Sequence, residues 1–258
     1  MAPVSDQPLL SLEHVSVHFG GLRALQDVSF AVAAGEIVGL IGPNGAGKTT
    51  AFNVACGFVR PTEGHVHFPA TGHSNLKPNQ LARAGVARTL QGVGLFGHCS
   101  VLENVMAGGQ TRDSGGFLAC FAGLPRAVRS ERVLRRDAMA MLERLGIAAV
   151  AGRLPSAIPY GTAKKVSVAR ALMTDPQLLL LDEPASGLDE AELEDFARLI
   201  VQLRSSMGVL LVEHDMEFVM PLVDRLVVLD FGEVIATGTP REVRDNESVI
   251  EAYLGVSE

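Results

Sequence analysis

Residues 37–57 read IVGLIGPNGAGKTTAFNVACG, and the fold is decided there. Ile37-Val38-Gly39-Leu40-Ile41 is an unbroken apolar run, as expected of a strand buried on both faces. Gly42-Pro43-Asn44-Gly45-Ala46-Gly47-Lys48-Thr49 follows at once, matches G-x-x-x-x-G-K-[ST], and runs on into Thr50. Thr49 to Ala55 contains no breaker, and Gly57 can end a helix. Strand, glycine loop and helix make the βα unit of a nucleotide-binding sheet. Glycines let the main chain wrap around a phosphate, and the amides of 45–49 would point inward, backed by the positive end of the helix. The pattern gives Lys48 the charge on the β- and γ-phosphate oxygens and gives the Thr49 hydroxyl to Mg²⁺. ATP and magnesium are therefore the expected ligands.

A second apolar run, Leu178 to Leu181, ends in Asp182-Glu183. At the carboxyl edge of a sheet, Asp182 would reach the magnesium through its water shell, and Glu183 would lie beside the γ-phosphate, where a carboxylate orients the attacking water. A third run, Val209 to Val212, leads to His214 and Asp215. If it belongs to the same sheet, it delivers His214 to the same edge, to hydrogen-bond the γ-phosphate. Gln91 stands where the nucleotide core gives way to a helical segment. Its position makes it a candidate reporter of the γ-phosphate to that segment, and it is expected among the catalytic residues and metal ligands.

Working outward, Leu9 to Phe19 alternates apolar and polar residues, Gly20-Gly21 breaks the run, and Val28, Phe30 and Val32 alternate again. That reads as a small antiparallel sheet with one wet face. Ser100 to Glu103 fits a capping box opening a helix, Gly108 to Gly123 reads as a loop, and Arg126 to Leu145 has helical spacing closed by Gly146. Glu190 to Ser206 reads as an amphipathic helix, and Thr239-Pro240-Arg241-Glu242 is a further capping box. The fold class expected is α/β: a P-loop NTPase with a nucleotide-binding core and N-terminal antiparallel β subdomain (1–92 and 163–232), an inserted helical subdomain (93–162) and a C-terminal extension (233–258).

The chain has 258 residues, 47% hydrophobic and 20% charged, and a net charge of −7. An acidic balance argues against a nucleic-acid partner. Cys56, Cys99 and Cys120 are too few and too scattered for a disulfide framework or a zinc site, and read as small buried thiols. No signal peptide and no run of about 18 apolar residues is visible, so the chain is not expected to cross a membrane by itself. His65 and His67 share a face of a probable strand, but no third metal ligand is evident. Arg126, Arg129, Arg132, Arg135 and Arg136 form a basic stripe that suits solvent, anionic lipid headgroups or acidic loops of a permease.

Along nearly its whole length the chain resembles the ABC transporter ATPases. The phosphate loop (42–50), a Q-loop glutamine in RTLQ (88–91), a signature-like IPYGTAKKVSVARAL (158–172), LLLLDEP (178–184), a D-loop ASGLD (185–189) and an H-loop histidine in VEHDM (212–216) follow in the family's order. FGGLRAL (19–25), RPTEGHVHF (60–68) and the tail from Gly238 resemble the ATPases of branched-chain amino acid importers and their urea-importing relatives. The resemblance implies a RecA-like core and stacking of Phe19 on adenine. It implies two ATPase subunits arranged head to tail, each phosphate loop facing the partner's signature, here Tyr160 and Gly161. It also implies two permease subunits docked on the helical subdomain, a solute-binding protein acting indirectly, and a place on the cytoplasmic face of the inner membrane.

One departure stands out. The family signature is LSGGQ, or LAYGQ in this branch, where this chain has Ile158-Pro159-Tyr160-Gly161-Thr162. Proline removes an amide donor and cannot replace a serine hydroxyl, and threonine is shorter than glutamine. The expectation is a weakened site over the partner's ATP, hence a heterodimer with unequal sites. A soluble ABC-type mechanical ATPase is the rival from another class, but such relatives carry coiled coils or fused cassettes, and this chain has neither.

Overall fold

The computed structural model describes residues 7–89, 92–109 and 125–254, with main chain alone at 70, 125–129 and 254. In chain order the elements are β1 (Leu10–Phe19), β2 (Leu22–Val32), β3 (Ile37–Ile41), α1 (Lys48–Ala55), β4 (Glu63–Phe68), β5 (His73–Ser74), β6 (Val86–Arg88), α2 (Val101–Gly109), α3 (Pro125–Arg144), α4 (Tyr160–Leu172), β7 (Leu178–Asp182), α5 (Glu190–Arg204), β8 (Gly208–Val212), α6 (Met216–Val219), β9 (Arg225–Asp230), β10 (Glu233–Gly238), α7 (Pro240–Arg244) and α8 (Glu247–Leu254). They divide into two compact units.

The first unit holds both sheets and comprises residues up to Arg88, Gln177–Ser186 and Ala197 onward. One sheet is antiparallel, ordered β2-β1-β4-β5, and the other is ordered β10-β9-β3-β8-β7-β6. In the second, β3 runs parallel to β8 and β9, β7 parallel to β6 and β8, and only β10 is antiparallel. The apolar runs explain this arrangement: every residue of β3, β7 and β8 is buried, as central parallel strands demand. Gly39 is the one small residue in β3. A Cβ there would lie 2.9 Å from Leu226 and 3.1 Å from Val219 and Val223, so the following elements pack directly onto its backbone. β2 begins at Leu22, earlier than alternation alone indicated, because Phe19 pairs with Leu22 across the tight Gly20-Gly21 turn. His65 bonds Glu13 at 3.0 Å and His67 bonds Ser74 at 2.9 Å.

The second unit comprises Thr89–Pro176 and Gly187–Phe196, and is helical. α4 lies whole within it, whereas the sequence reading drew a boundary at 162/163. α2 opens with the expected box: the Ser100 amide donates to Glu103 at 2.6 Å and the Glu103 amide donates back to Ser100 Oγ at 3.2 Å. Gly108 and Gly109 end this helix instead of starting a loop. A Cβ on Gly108 would meet the Arg170 carbonyl at 1.9 Å, so glycine is what lets α2 approach α4 this closely. Fully buried Asn104 donates to the carbonyls of Phe96, Cys99 and Ser100 and accepts from the Phe96 amide at 2.7 Å, fixing the chain that leads into α2. Cys120 and the remainder of the 108–123 segment lie outside the described residues, as do the side chains of Arg126 and Arg129.

Candidate nucleotide site

The site is built in the first unit, at the carboxyl ends of β3, β8 and β7, which are neighbours in that order. Parallel pairing of Leu40 with Val212 and of Asp182 with Val212 brings the three strand ends level. The loop after β3, the histidine after β8 and the carboxylates ending β7 thus emerge from one sheet edge, where open α/β sheets bind ligands.

The loop owes its shape to glycine at defined points. Gly42, Gly45 and Gly47 have φ of 150°, 83° and 102°. A Cβ on Gly42 would stand 2.1 Å from the Leu229 carbonyl, so the loop enters against β9 with no room for a side chain. Gly47 is the N-cap of α1 in the left-handed region; no side chain caps this helix and no acid lies in its first turn. Its leading amides are thereby left for an anion. Asn44, Gly45 and Thr49 are exposed, while Gly42 and Ala46 are buried. The Ala46 carbonyl is held by the Gly232 amide at 3.0 Å. Lys48 is only 8% exposed, and its Nζ donates to the carbonyls of Gly42 at 2.6 Å and Pro43 at 2.8 Å. Burial pulls its pKa down, and the nearby Glu183 carboxylate pushes it back up. The ammonium is thus held inside the loop on main-chain oxygens.

Asp182 is buried at the end of β7, and burial raises its carboxyl pKa. The opposing charge is Arg88, at the end of β6, with Nη2 3.9 Å from Asp182 Oδ2. Its guanidinium lies 4.6 Å from the ring centre of Phe58 and 5.2 Å from that of Phe52. Glu183 has φ 46°, a left-handed conformation uncommon for a non-glycine residue and a frequent mark of functional sites. Its amide donates to the Val212 carbonyl at 3.0 Å, tying the end of β7 to β8. The His214 side chain is 57% exposed. Phe19 ends β1 and is exposed.

A divalent cation fits this edge by its donor chemistry. The Thr49 hydroxyl and Asp182 carboxylate are hard oxygen donors suited to Mg²⁺. Among the described residues no group of three His, Cys, Asp or Glu could hold a metal, so such a cation would draw its remaining ligands from phosphate and water. Gln91 falls outside the described residues. Tyr160 and Gly161 belong to the second unit. Tyr160 lines a groove of about 490 Å³ together with Val93, Leu95, Pro155 and Ile158. Pro159 is the N-cap of α4 and supplies no capping hydrogen bond, and the Gly161 amide donates to Glu192 at 3.0 Å.

Residues 25–186 match the model of the ABC transporter family. The chain belongs to that family. The C-terminal residues 233–258 also match the model of branched-chain amino acid ATP-binding cassette transporters. The cassette is 40% identical to the high-affinity branched-chain amino acid transport ATP-binding protein BraF of Pseudomonas aeruginosa, over 97% of this chain and 99% of that one. It is 41% identical to the corresponding LivG protein of Salmonella typhimurium, with the same coverage. A crystal structure of a nucleotide-free ATP-binding cassette from an ABC transporter superposes with a TM-score of 0.83 at 29% identity, covering 96% of this chain and 99% of the other. The cassette is therefore an ABC ATPase with the expected α/β P-loop fold. Among the described residues no helix is long and apolar enough to cross a membrane.

The fold draws two further residues to this edge, Arg88 and Glu213. Arg88 stands 94 positions from Asp182 in the chain, and nothing local announces that pairing. Glu213 carried a signal, a carboxylate wedged between a wholly apolar strand and the histidine. A charged residue at a strand end, however, ordinarily reads as solvated.

Proposed function

We infer that the cassette binds MgATP at this sheet edge and hydrolyses it to power import by an ABC transporter, with branched-chain amino acids as the solute class. What carries the reading is the convergence of the phosphate loop, Asp182-Glu183 and His214 on the ends of three adjacent parallel strands. The amides of 45–49, in the stretch Gly42 to Thr50, receive the β- and γ-phosphates, and Lys48 turns its ammonium from loop carbonyls to phosphate oxygens. Thr49 and Asp182 would hold Mg²⁺, with Gln91 as a further candidate ligand, and the metal would supply positive charge to offset that of the phosphates. Glu183 orients the attacking water and takes its proton, and His214 hydrogen-bonds the γ-phosphate. Phe19 offers an exposed aromatic face to adenine.

The assembly we infer is peripheral to the cytoplasmic face of the inner membrane. It comprises a second ATPase subunit, two permeases and, indirectly, a solute-binding protein. The division into a nucleotide core, helical subdomain and C-terminal extension suits that assembly, and the groove bordered by Tyr160 offers the helical part a concave surface for a permease. The signature supports unequal sites. Pro159 lacks both hydroxyl and amide proton, Thr162 is short, and the Gly161 amide is already engaged by Glu192. We infer a heterodimer whose other member supplies the better signature.

The direct test is Glu183→Gln. It should keep MgATP affinity within about threefold and lower steady-state phosphate release by about 10²-fold or more, as loss of a positioned general base does. Full phosphate release by this variant would overturn the role given to Glu183.

A further inference from the structure

Glu213 is wholly buried at the end of β8, where an isolated carboxylate is costly. Its two oxygens are taken by main-chain donors from two different segments. Oε1 accepts from the Ala185 amide at 2.6 Å, and Oε2 accepts from the His214 amide at 3.1 Å. Oε2 also lies 3.6 Å from His214 Nδ1. Burial pushes the carboxyl pKa up, while the amides of Ala185, His214 and Asp215 and the neighbouring imidazole draw it back down.

Ala185 is two residues beyond Glu183, whose own amide donates to Val212, the residue before Glu213. The segments 183–185 and 212–214 are therefore clipped together twice, once through main chain and once through this side chain. The β7–β8 ladder aligns the two strands as far as Asp182 and Val212, and the side chain carries that alignment past the strand ends to Ala185. We propose that Glu213 is a positioning residue for ATP hydrolysis, a buried carboxylate clip that sets Glu183 and His214 in register without touching nucleotide. The inference rests on the roles given above to those two residues. A side chain with two acceptor oxygens serves the Ala185 and His214 amides at once, which an apolar side chain at this position could not do.

Glu213→Gln is the test, in the full-length chain. The amide keeps the shape but turns an N–H₂ group against one of the two main-chain donors, so one clip is lost. The expected result is a fall in kcat of about 10- to 100-fold with MgATP dissociation constant within about twofold, because nothing that touches nucleotide has been removed. Combined with His214→Ala, it should add little, since both changes spoil one arrangement. An unchanged kcat in Glu213→Gln, beside a disabled His214→Ala, would overturn this inference alone; full activity in both His214→Ala and Glu183→Gln would instead overturn the catalytic assignment on which it rests. Should the variant not fold, the wild-type amide of Ala185 still decides the matter. A short bond to a carboxylate requires a strongly downfield, slowly exchanging proton, whose NMR signal responds to MgATP, and an ordinary, fast-exchanging signal refutes the clip.

Discussion

Replacing Gly42 by alanine probes the phosphate loop at its tightest point. The new Cβ would begin 2.1 Å from the Leu229 carbonyl and must withdraw to the 3.4 Å of ordinary contact, a retreat of about 1.3 Å. The obstacle is backbone of β9, itself paired with β10, so no side-chain rotation relieves it. The φ of 150° adds strain for any residue with a Cβ, about 1–3 kcal/mol, and the overlap adds a comparable amount. Together they cost roughly 2–5 kcal/mol, or a drop of about 5–15 °C in Tm for a chain of this size. Displacing the loop entrance by about 1 Å should also weaken MgATP binding on the order of 10²-fold. Gly45→Ala is the comparison. No atom lies within 4 Å of its Cβ, so only the positive φ is penalised, by about 1–2 kcal/mol. Thermal melts and titrations with a fluorescent ATP analogue on the two variants separate the effects. If Gly42→Ala melts with the wild type, or above Gly45→Ala, the reasoning fails.

Two further outcomes follow from buried groups around the site. Arg88→Ala removes the guanidinium from two aromatic rings and from Asp182, and urea melts should show a loss of about 1–3 kcal/mol that MgATP partly offsets. Burial pushes the Tyr253 hydroxyl up to about 12, the Gly42 amide beside it drawing it slightly back. The folded state thus favours the neutral phenol, and this contribution to stability is whole below pH ~10 and lost as pH rises toward ~12. In a Tyr160→Phe background, ultraviolet titration of the remaining tyrosine should show ionisation near 12, and a midpoint near 10 would contradict it.

Much of the sheet was legible because its chemistry is local. Ile37–Ile41, Leu178–Leu181 and Val209–Val212 are apolar without interruption, and only strands buried on both faces in a parallel sheet need that. The phosphate loop was legible for the same reason, since the demand for positive φ falls on its own glycines. What escaped depended on partners distant in sequence. Gly108 looked like loop because helix propensity disfavours glycine, yet the close approach of α4 requires it there. Glu213 looked like surface because it is charged, yet two amides from segments nearly 30 residues apart hold it in the core. Arg88 shows the same: its rings and its carboxylate come from α1, the turn after it, and the end of β7.

Three strand ends are proposed to form one cradle for a triphosphate and its metal, and equilibrium binding of a fluorescent ATP analogue, with and without Mg²⁺, tests that most directly. The wild-type chain should bind in a magnesium-dependent manner, and Lys48→Ala should weaken binding by about 10- to 100-fold, the worth of a charge-assisted hydrogen bond to phosphate. Binding indifferent to magnesium, or unchanged on loss of Lys48, would contradict it.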